Sequence, residues 1–252
     1  MTSDVSNVKT RKQRAPSQPP AGKAPFQAGG QTIADNIYHE LYRDIVSVAL
    51  PPGTPISEKQ LATEKGVSRT PVREAILRLT NERLVEVVPK SGTFVARIRL
   101  SSLTEALVVR AALEGVTVRG AVARVTPSQI LELRAIVEKQ REIGTTVDTD
   151  AFHQADESFH AKIASIGAYE GIWDLIRQVK VQVDRYRHMT LPQEGRLALI
   201  IDEHSKIVDA IESGDTDQAV KCMETHLDKL QLDIAVFRDL HPDYFIHDKK
   251  ID

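Results

Sequence analysis

The run Val67-Ser-Arg-Thr-Pro-Val-Arg-Glu-Ala-Ile-Leu-Arg-Leu79 reads as a short amphipathic helix. Val72, Ala75, Ile76 and Leu79 recur at helical spacing and form one apolar stripe. Ser68 or Thr70 can cap its start, and Pro71 suits the first turn, where a missing N–H costs nothing. Arg69 and Arg73 fall off that stripe. With Thr70 they sit at or near the positive end of the helix dipole, where hydroxyls, backbone N–H groups and guanidinium forks can meet phosphates and base edges.

Working outward, the flanking text completes a small domain. Upstream, Ile33, Ile37, Leu41 and Ile45 share one face of a helix that Pro51-Pro-Gly53 ends. Ser57 with Gln60 makes a capping box for a short second helix through about Glu64, and Gly66 supplies the turn into the central run. Downstream, Leu84–Val88 and Thr93–Arg97 are β-rich runs around the turn Pro89-Lys-Ser-Gly92, which predicts a hairpin wing. Three helices and a hairpin make a winged helix-turn-helix over residues 31–98.

Pro52-Gly53, Glu58, Leu61-Ala62, Gly66 to Ala75, Leu79, Pro89 and Gly92-Thr-Phe-Val95 closely resemble the winged helix-turn-helix of the GntR family of bacterial transcription regulators. The resemblance implies that Arg69 and Arg73 touch bases and phosphates of a double-stranded operator. It also implies Ser68 and Thr70 on the DNA backbone, Arg43 on a flanking phosphate, and Lys90 to Gly92 dipping toward the minor groove. At position 83, just past the recognition helix, the family usually has glycine. This chain has Arg83, and a left-handed turn is costlier there.

The formal charge of −2 hides an asymmetry. Residues 1–100 carry 15 Lys/Arg against 9 Asp/Glu, and residues 101–252 carry 18 against 26. A basic N-terminal portion suits a polyanion, while the acidic remainder would be repelled by DNA and needs another task. Residues 1–30, with four prolines and the basic cluster Lys9, Arg11, Lys12 and Arg14, predict a disordered arm. No apolar run reaches the length of a membrane span, and the first residues lack the apolar stretch of a signal peptide, so a cytoplasmic protein with no membrane partner is expected. The single Cys222 excludes an internal disulfide framework, and its apolar surroundings suit a packed thiol.

From 99 to 238 the periodicity is helical with almost no strand signal, and residues 239–252 read as a C-terminal tail. The spacing predicts an all-α bundle of six helices, near 101–124, 127–142, 148–166, 169–189, 193–213 and 215–238, with seven as the alternative count. On the third, Asp156 and His160 stand one turn apart among Phe152, Ala155, Phe159 and Ile163. On the fifth, Ile200, Ile201, Ile207, Val208 and Ile211 frame His204; on the sixth, Ala219, Cys222, Met223 and Leu230 frame His226. Any one of these alone reads as a hydrogen-bonded core residue. Together, three imidazoles and a carboxylate make a site for a divalent first-row metal, whose charge would offset burial of the aspartate. Zinc, nickel, manganese and iron all suit such donors, zinc best.

The spacing Asp156-x-x-x-His160, then His204 after Asp202-Glu203, then His226, resembles the metal-binding subset of the FCD effector domain, the helical half of the FadR subfamily of GntR regulators. Six helices in place of seven match its VanR-like branch. Arg110 lies with Leu103, Leu107, Leu113 and Thr117 on the inward stripe of the first bundle helix, where it needs an anionic partner. One reading is an ion pair with Glu114, one turn on. The other, implied by the family, is a small carboxylate effector held by Arg110 and the metal. Gln182, Arg185 and Tyr186 are further candidates to line that cavity.

The expectation is a ligand-responsive, homodimeric DNA-binding regulator, not an enzyme, on a pseudo-palindromic operator. A metalloenzyme using Asp156 and the three histidines is the alternative from another class, though no further group stands out as its general base. A regulator that senses the metal itself is the second.

Overall fold

The structure is a computed structural model that describes residues 32–246 except 147 and 233. The expected N-terminal arm and the last six residues lie outside the described residues. Helix α1 (Ile33–Val46) starts from a full capping box: the Thr32 hydroxyl accepts from the Asp35 N–H, and the Asp35 carboxylate accepts from the Thr32 N–H. Ile37, Leu41 and Ile45 are buried as their spacing predicts, while Ile33 overhangs the first turn and is exposed. Helix α2 (Glu58–Glu64) is capped by the Ser57 hydroxyl, but only half of the expected box forms, because Gln60 turns to Glu64 instead. Gly66, at φ 63, carries the chain into α3 (Arg69–Asn81). Ser68 occupies the cap position there without a side-chain bond.

Strands β1 (Pro55–Ile56), β2 (Val85–Val88) and β3 (Gly92–Val95) form an antiparallel sheet in the order β1-β3-β2, with Val85 opposite Val95 and Val88 opposite Gly92. The wing turn closes by the Ser91 N–H donating to the Val88 carbonyl, with Pro89 second and Lys90, at φ 66, third. Arg83 takes the left-handed conformation, φ 58, that glycine would adopt at less cost. The head core gathers Ile37, Leu41, Ile45, Val72, Ile76, Leu79, Leu84 and Val95. Across it, Tyr38 donates to Glu82 and lies under the Arg78 guanidinium, which pairs with Asp35.

The helical part contains α4 (Leu100–Arg124), α5 (Pro127–Gly144), α6 (Thr149–Ile166), α7 (Glu170–Val179), α8 (Val181–Thr190), α9 (Arg196–Ser213), α10 (Thr216–Leu232) and a short α11 (Ile234–Leu240). The fourth expected helix is therefore two, so seven long helices replace the six, and the helix count gives no ground for the VanR-like branch. The division falls at Lys180 (φ −84, ψ −1), whose ammonium is drawn between two carboxylates, with no glycine or proline to mark it. Elsewhere the punctuation acts as expected: Thr126 and Gln129 form a capping box with Pro127 in the first turn of α5, and Gly214 ends α9 at φ 76. Helix α4 packs against α6 and α10. At Gly120 and Gly167 the approach is so close that added Cβ atoms would lie 2.6 Å from the Tyr169 ring and 2.8 Å from the Thr117 carbonyl.

Residues read as a tail continue the fold. After α11, Pro242–Tyr244 makes a 3-10 turn, and β5 (Phe245–Ile246) pairs in parallel with β4 (Ile98–Arg99). Ile98, Leu103, Leu107, Val183, Tyr186, Phe237 and Phe245 form a third core beside these strands. Val181 of α8 packs against the head core, and the Gln182 and Arg185 side chains donate to the carbonyls of Arg83 and Ala96. Among the described residues, no helix is long and apolar enough to cross a membrane.

Candidate nucleic-acid interface and metal centre

Helix α3 buries Val72, Ala75, Ile76 and Leu79 and leaves Ser68, Arg69, Thr70 and Arg73 facing outward. The Arg69 and Arg73 side chains are 62% and 70% exposed, and both donate to the Glu58 carboxylate of α2, at 3.2 Å through their Nη2 atoms. The Arg73 bond, with burial opposing it, lowers the Glu58 carboxyl below its ordinary value, so it stays ionised and aims both guanidinium groups. Glu58 was legible only as a motif position, because its partners lie 11 and 15 residues on. Lys90 and Gly92 are exposed at the wing tip. Arg43 is also exposed, but it lines the cleft between head and bundle and is not brought beside Arg69 and Arg73.

In the bundle, α6 supplies Asp156 and His160, α9 supplies His204 and α10 supplies His226, all buried. One donor atom from each lies within 4.8 Å of the others. The His204 and His226 Nε2 atoms are 3.4 Å apart, His204 Nε2 is 3.6 Å from Asp156 Oδ1, and His160 Nε2 is 3.8 Å from Asp156 Oδ2. Bonds of about 2.1 Å to one ion separate neighbouring donors by roughly 3–3.4 Å, so only small side-chain adjustments are needed.

The outer face of each ring fixes its tautomer. His160 Nδ1 meets Glu114, His204 Nδ1 lies 2.8 Å from Gln140 Oε1, and His226 Nδ1 lies 2.7 Å from Glu203 Oε2. An oxygen acceptor there makes Nδ1 the donor and turns the Nε2 lone pair inward. His160 Nε2, buried, has no hydrogen-bond partner. Burial lowers the His204 and His226 imidazoles below their ordinary value, and each is further opposed by a neighbouring histidine. Three nitrogen donors and a carboxylate thus converge on one point, a donor set that a divalent cation satisfies.

Arg187, which sequence reading passed over, holds Asp156 by two bonds of 2.5 and 2.6 Å. Burial would raise the Asp156 carboxyl, but Arg187 and the nearby histidines hold it well below its ordinary value. Each carboxylate oxygen keeps a second lone pair, so Arg187 and an ion can share it. Arg110 donates through Nε to Glu114 at 2.5 Å, as the ion-pair reading predicts, yet its Nη1 and Nη2 are buried without hydrogen-bond partners. Glu114, raised by burial but lowered more by Arg110 and His160, sits at about 2. Gln182 and Arg185 face the head, and Tyr186 packs in the third core, so these candidates are not brought to the centre.

Comparison with known proteins agrees with both halves. Residues 33–95 match "Bacterial regulatory proteins, gntR family", and residues 105–229 match the FCD domain. The HTH-type transcriptional repressor RspR of Escherichia coli (strain K12) is 31% identical over 215 residues, covering 85% of this chain and 94% of that protein. Among solved structures, E. coli McbR/YncC superposes with a TM-score of 0.67 at 25% identity, covering 83% of this chain and 99% of that one. A GntR-type regulator from Rhodococcus sp. RHA1 gives 0.68 at 25% identity, covering 81% and 97%. The chain belongs to the GntR family of bacterial transcription regulators, in the subfamily that carries an FCD domain. It is a transcription regulator, which sets the metalloenzyme alternative aside.

Proposed function

We propose that this DNA-binding regulator works in the cytoplasm as a homodimer on a pseudo-palindromic operator, and that a small carboxylate bound at a divalent-metal centre sets its affinity for DNA. Arg69 and Arg73 read base edges and phosphates, Ser68 and Thr70 bond the backbone, and Lys90 to Gly92 approach the minor groove. Arg43 takes a phosphate outside this group. Support for the dimer comes from α4, where Val108, Val109 and Val116 make an exposed apolar strip.

Asp156, His160, His204 and His226 hold the ion, with zinc preferred over nickel, manganese or iron for a set of three nitrogens and one oxygen. One observation carries the effector reading: the free Nη1 and Nη2 atoms of buried Arg110. Around the centre, Arg110, Arg187 and Lys229 balance Glu114, Asp156 and Glu203, so three positive and three negative charges cancel. A divalent ion leaves an excess of two positive charges, and an anion with a flat two-oxygen face matches both that excess and the guanidinium fork. The bound ion would supply charge and open coordination positions.

The test is operator affinity by fluorescence anisotropy, on a selected operator, across a panel of small carboxylic acids. An effector that prefers one arrangement of the heads by about 1–3 kcal/mol changes affinity roughly 5- to 150-fold. Arg110→Gln removes the response while leaving effector-free operator binding unchanged. A full response in Arg110→Gln would refute the carboxylate reading.

A further inference from the structure

A second group of metal-competent side chains lies outside the buried centre. His153 and Glu157 stand one turn apart on α6, and Asp184 faces them from α8; one donor atom from each lies within 4.8 Å of the others. The three open on a cleft of about 1830 Å³ between head and bundle, which His153, Glu157, Lys180, Asp184 and His188 all line. None of them belongs to the Asp156 centre. Asp156 is the neighbour of Glu157, but successive helical residues diverge by about 100°, so it points into the bundle.

The bonding of this group is one-sided. Lys180 Nζ lies 2.8 Å from Glu157 Oε2 and 2.6 Å from Asp184 Oδ2, which uses one oxygen of each carboxylate. The other oxygens, Glu157 Oε1 and Asp184 Oδ1, are buried without a hydrogen-bond partner, as is His153 Nδ1. Asp184 itself is more than nine-tenths buried. His153 Nε2 faces Asp184 Oδ1 at 4.0 Å, and the His188 ring lies 4.7 Å from that of His153, with its Nδ1 3.4 Å from Asp150. Two carboxylates thus keep a buried free oxygen each beside an imidazole, and among the described residues the cation bonded to both is the Lys180 ammonium. Their formal charge with Lys180 is −1, so a divalent ion brings it to +1.

We propose that His153, Glu157 and Asp184 form a second divalent-cation site, exchangeable through the cleft, at which the Lys180 ammonium acts as a tethered stand-in for the ion. One nitrogen and two carboxylate oxygens suit manganese, iron(II) or zinc, with the remaining positions open to water. Where the buried centre is enclosed, this one is reached from the cleft, so it binds more weakly and follows the free ion concentration. Its place gives occupancy a consequence. Asp184 lies on α8 among Val181, Gln182 and Arg185, which contact the head, so an ion joining Asp184 to α6 fixes the helix that holds the DNA-reading domain.

The inference does not depend on the buried centre holding metal, and the test separates the two. Full-length protein, stripped by chelator, is titrated with Mn2+ by calorimetry and electron paramagnetic resonance. Wild type is expected to show a weaker class of one ion per chain that persists in His204→Ala and is lost in Asp184→Asn. Lys180→Met, which removes the tethered competitor, tightens that class by about tenfold or more. Where Asp184→Asn lowers stability too far to titrate, Lys180→Met alone decides. Absence of the weaker class from both wild type and Lys180→Met would overturn the proposal, and so would its loss in His204→Ala.

Discussion

Two arginine–carboxylate groups in this chain use the same chemistry to opposite ends. In the head, Arg69 and Arg73 share Glu58 at the surface, more than three-fifths exposed. In the bundle, Arg110 and Arg187 are essentially excluded from solvent and bound to Glu114 and Asp156. Exposed ion pairs are worth little and are easily exchanged, so Glu58 can give up its arginines to phosphates and bases. Buried pairs are costly to break, because whichever partner remains is left charged in a poor solvent. The first arrangement makes a surface that trades partners; the second makes a fixed scaffold.

The largest effect expected from that contrast is in the bundle. Arg187→Met leaves Asp156 buried without its guanidinium and should lower unfolding free energy by about 3–5 kcal/mol in chelator, measured by urea denaturation. Added divalent metal should restore part of this loss, and equal losses with and without metal would separate Arg187 from the centre. Next, His204→Ala should abolish the gain in stability that the tighter metal centre supplies, which for wild type at a hundredfold excess over that centre's Kd is about 2.7 kcal/mol. In the head, Arg73→Ala should weaken specific operator binding by about 1–3 kcal/mol and leave the melting temperature unchanged, because the side chain packs against nothing that folding needs. A lowered melting temperature would mean that the exposed pair is structural after all.

The smallest effect belongs to the Asp35 cap. The Thr32 N–H above all, then Arg78, lower this carboxyl to about 2. Its folded value lies below its unfolded one, so its stabilisation is complete above the ordinary carboxylate value and fades as pH falls toward 2. Asp35→Asn should therefore lower stability at neutral pH, flatten the acid side of the stability profile and differ least from wild type near pH 2, as urea denaturation across pH would show.

The head was legible because its signals are local: caps, a turn glycine, an apolar stripe and a hairpin all act within a few residues. Even the cost at Arg83 could be read from its place after α3. The four polar side chains of the buried centre were legible too, since apolar neighbours at helical spacing frame each one. What surrounds them was not. Arg187 meets Asp156 across 31 positions, Glu114 meets His160 across 46 and Gln140 meets His204 across 64. No spacing rule links such pairs. The break at Lys180 carries no glycine or proline, and β5 finds β4 only because the chain returns to residue 98 after 245. Arg43 was placed on a phosphate by the family resemblance, and only the packing of head on bundle shows which way that side of α1 looks.

The most direct measurement is native mass spectrometry of the gently purified protein with elemental analysis, on wild type and His204→Ala. A dimer in which each wild-type subunit retains one divalent ion through desalting, while His204→Ala retains none, is the predicted result. A wild-type protein that is metal-free under these conditions, and as stable as His204→Ala whether or not metal is added, would contradict the account and reduce the four residues to a hydrogen-bonded core.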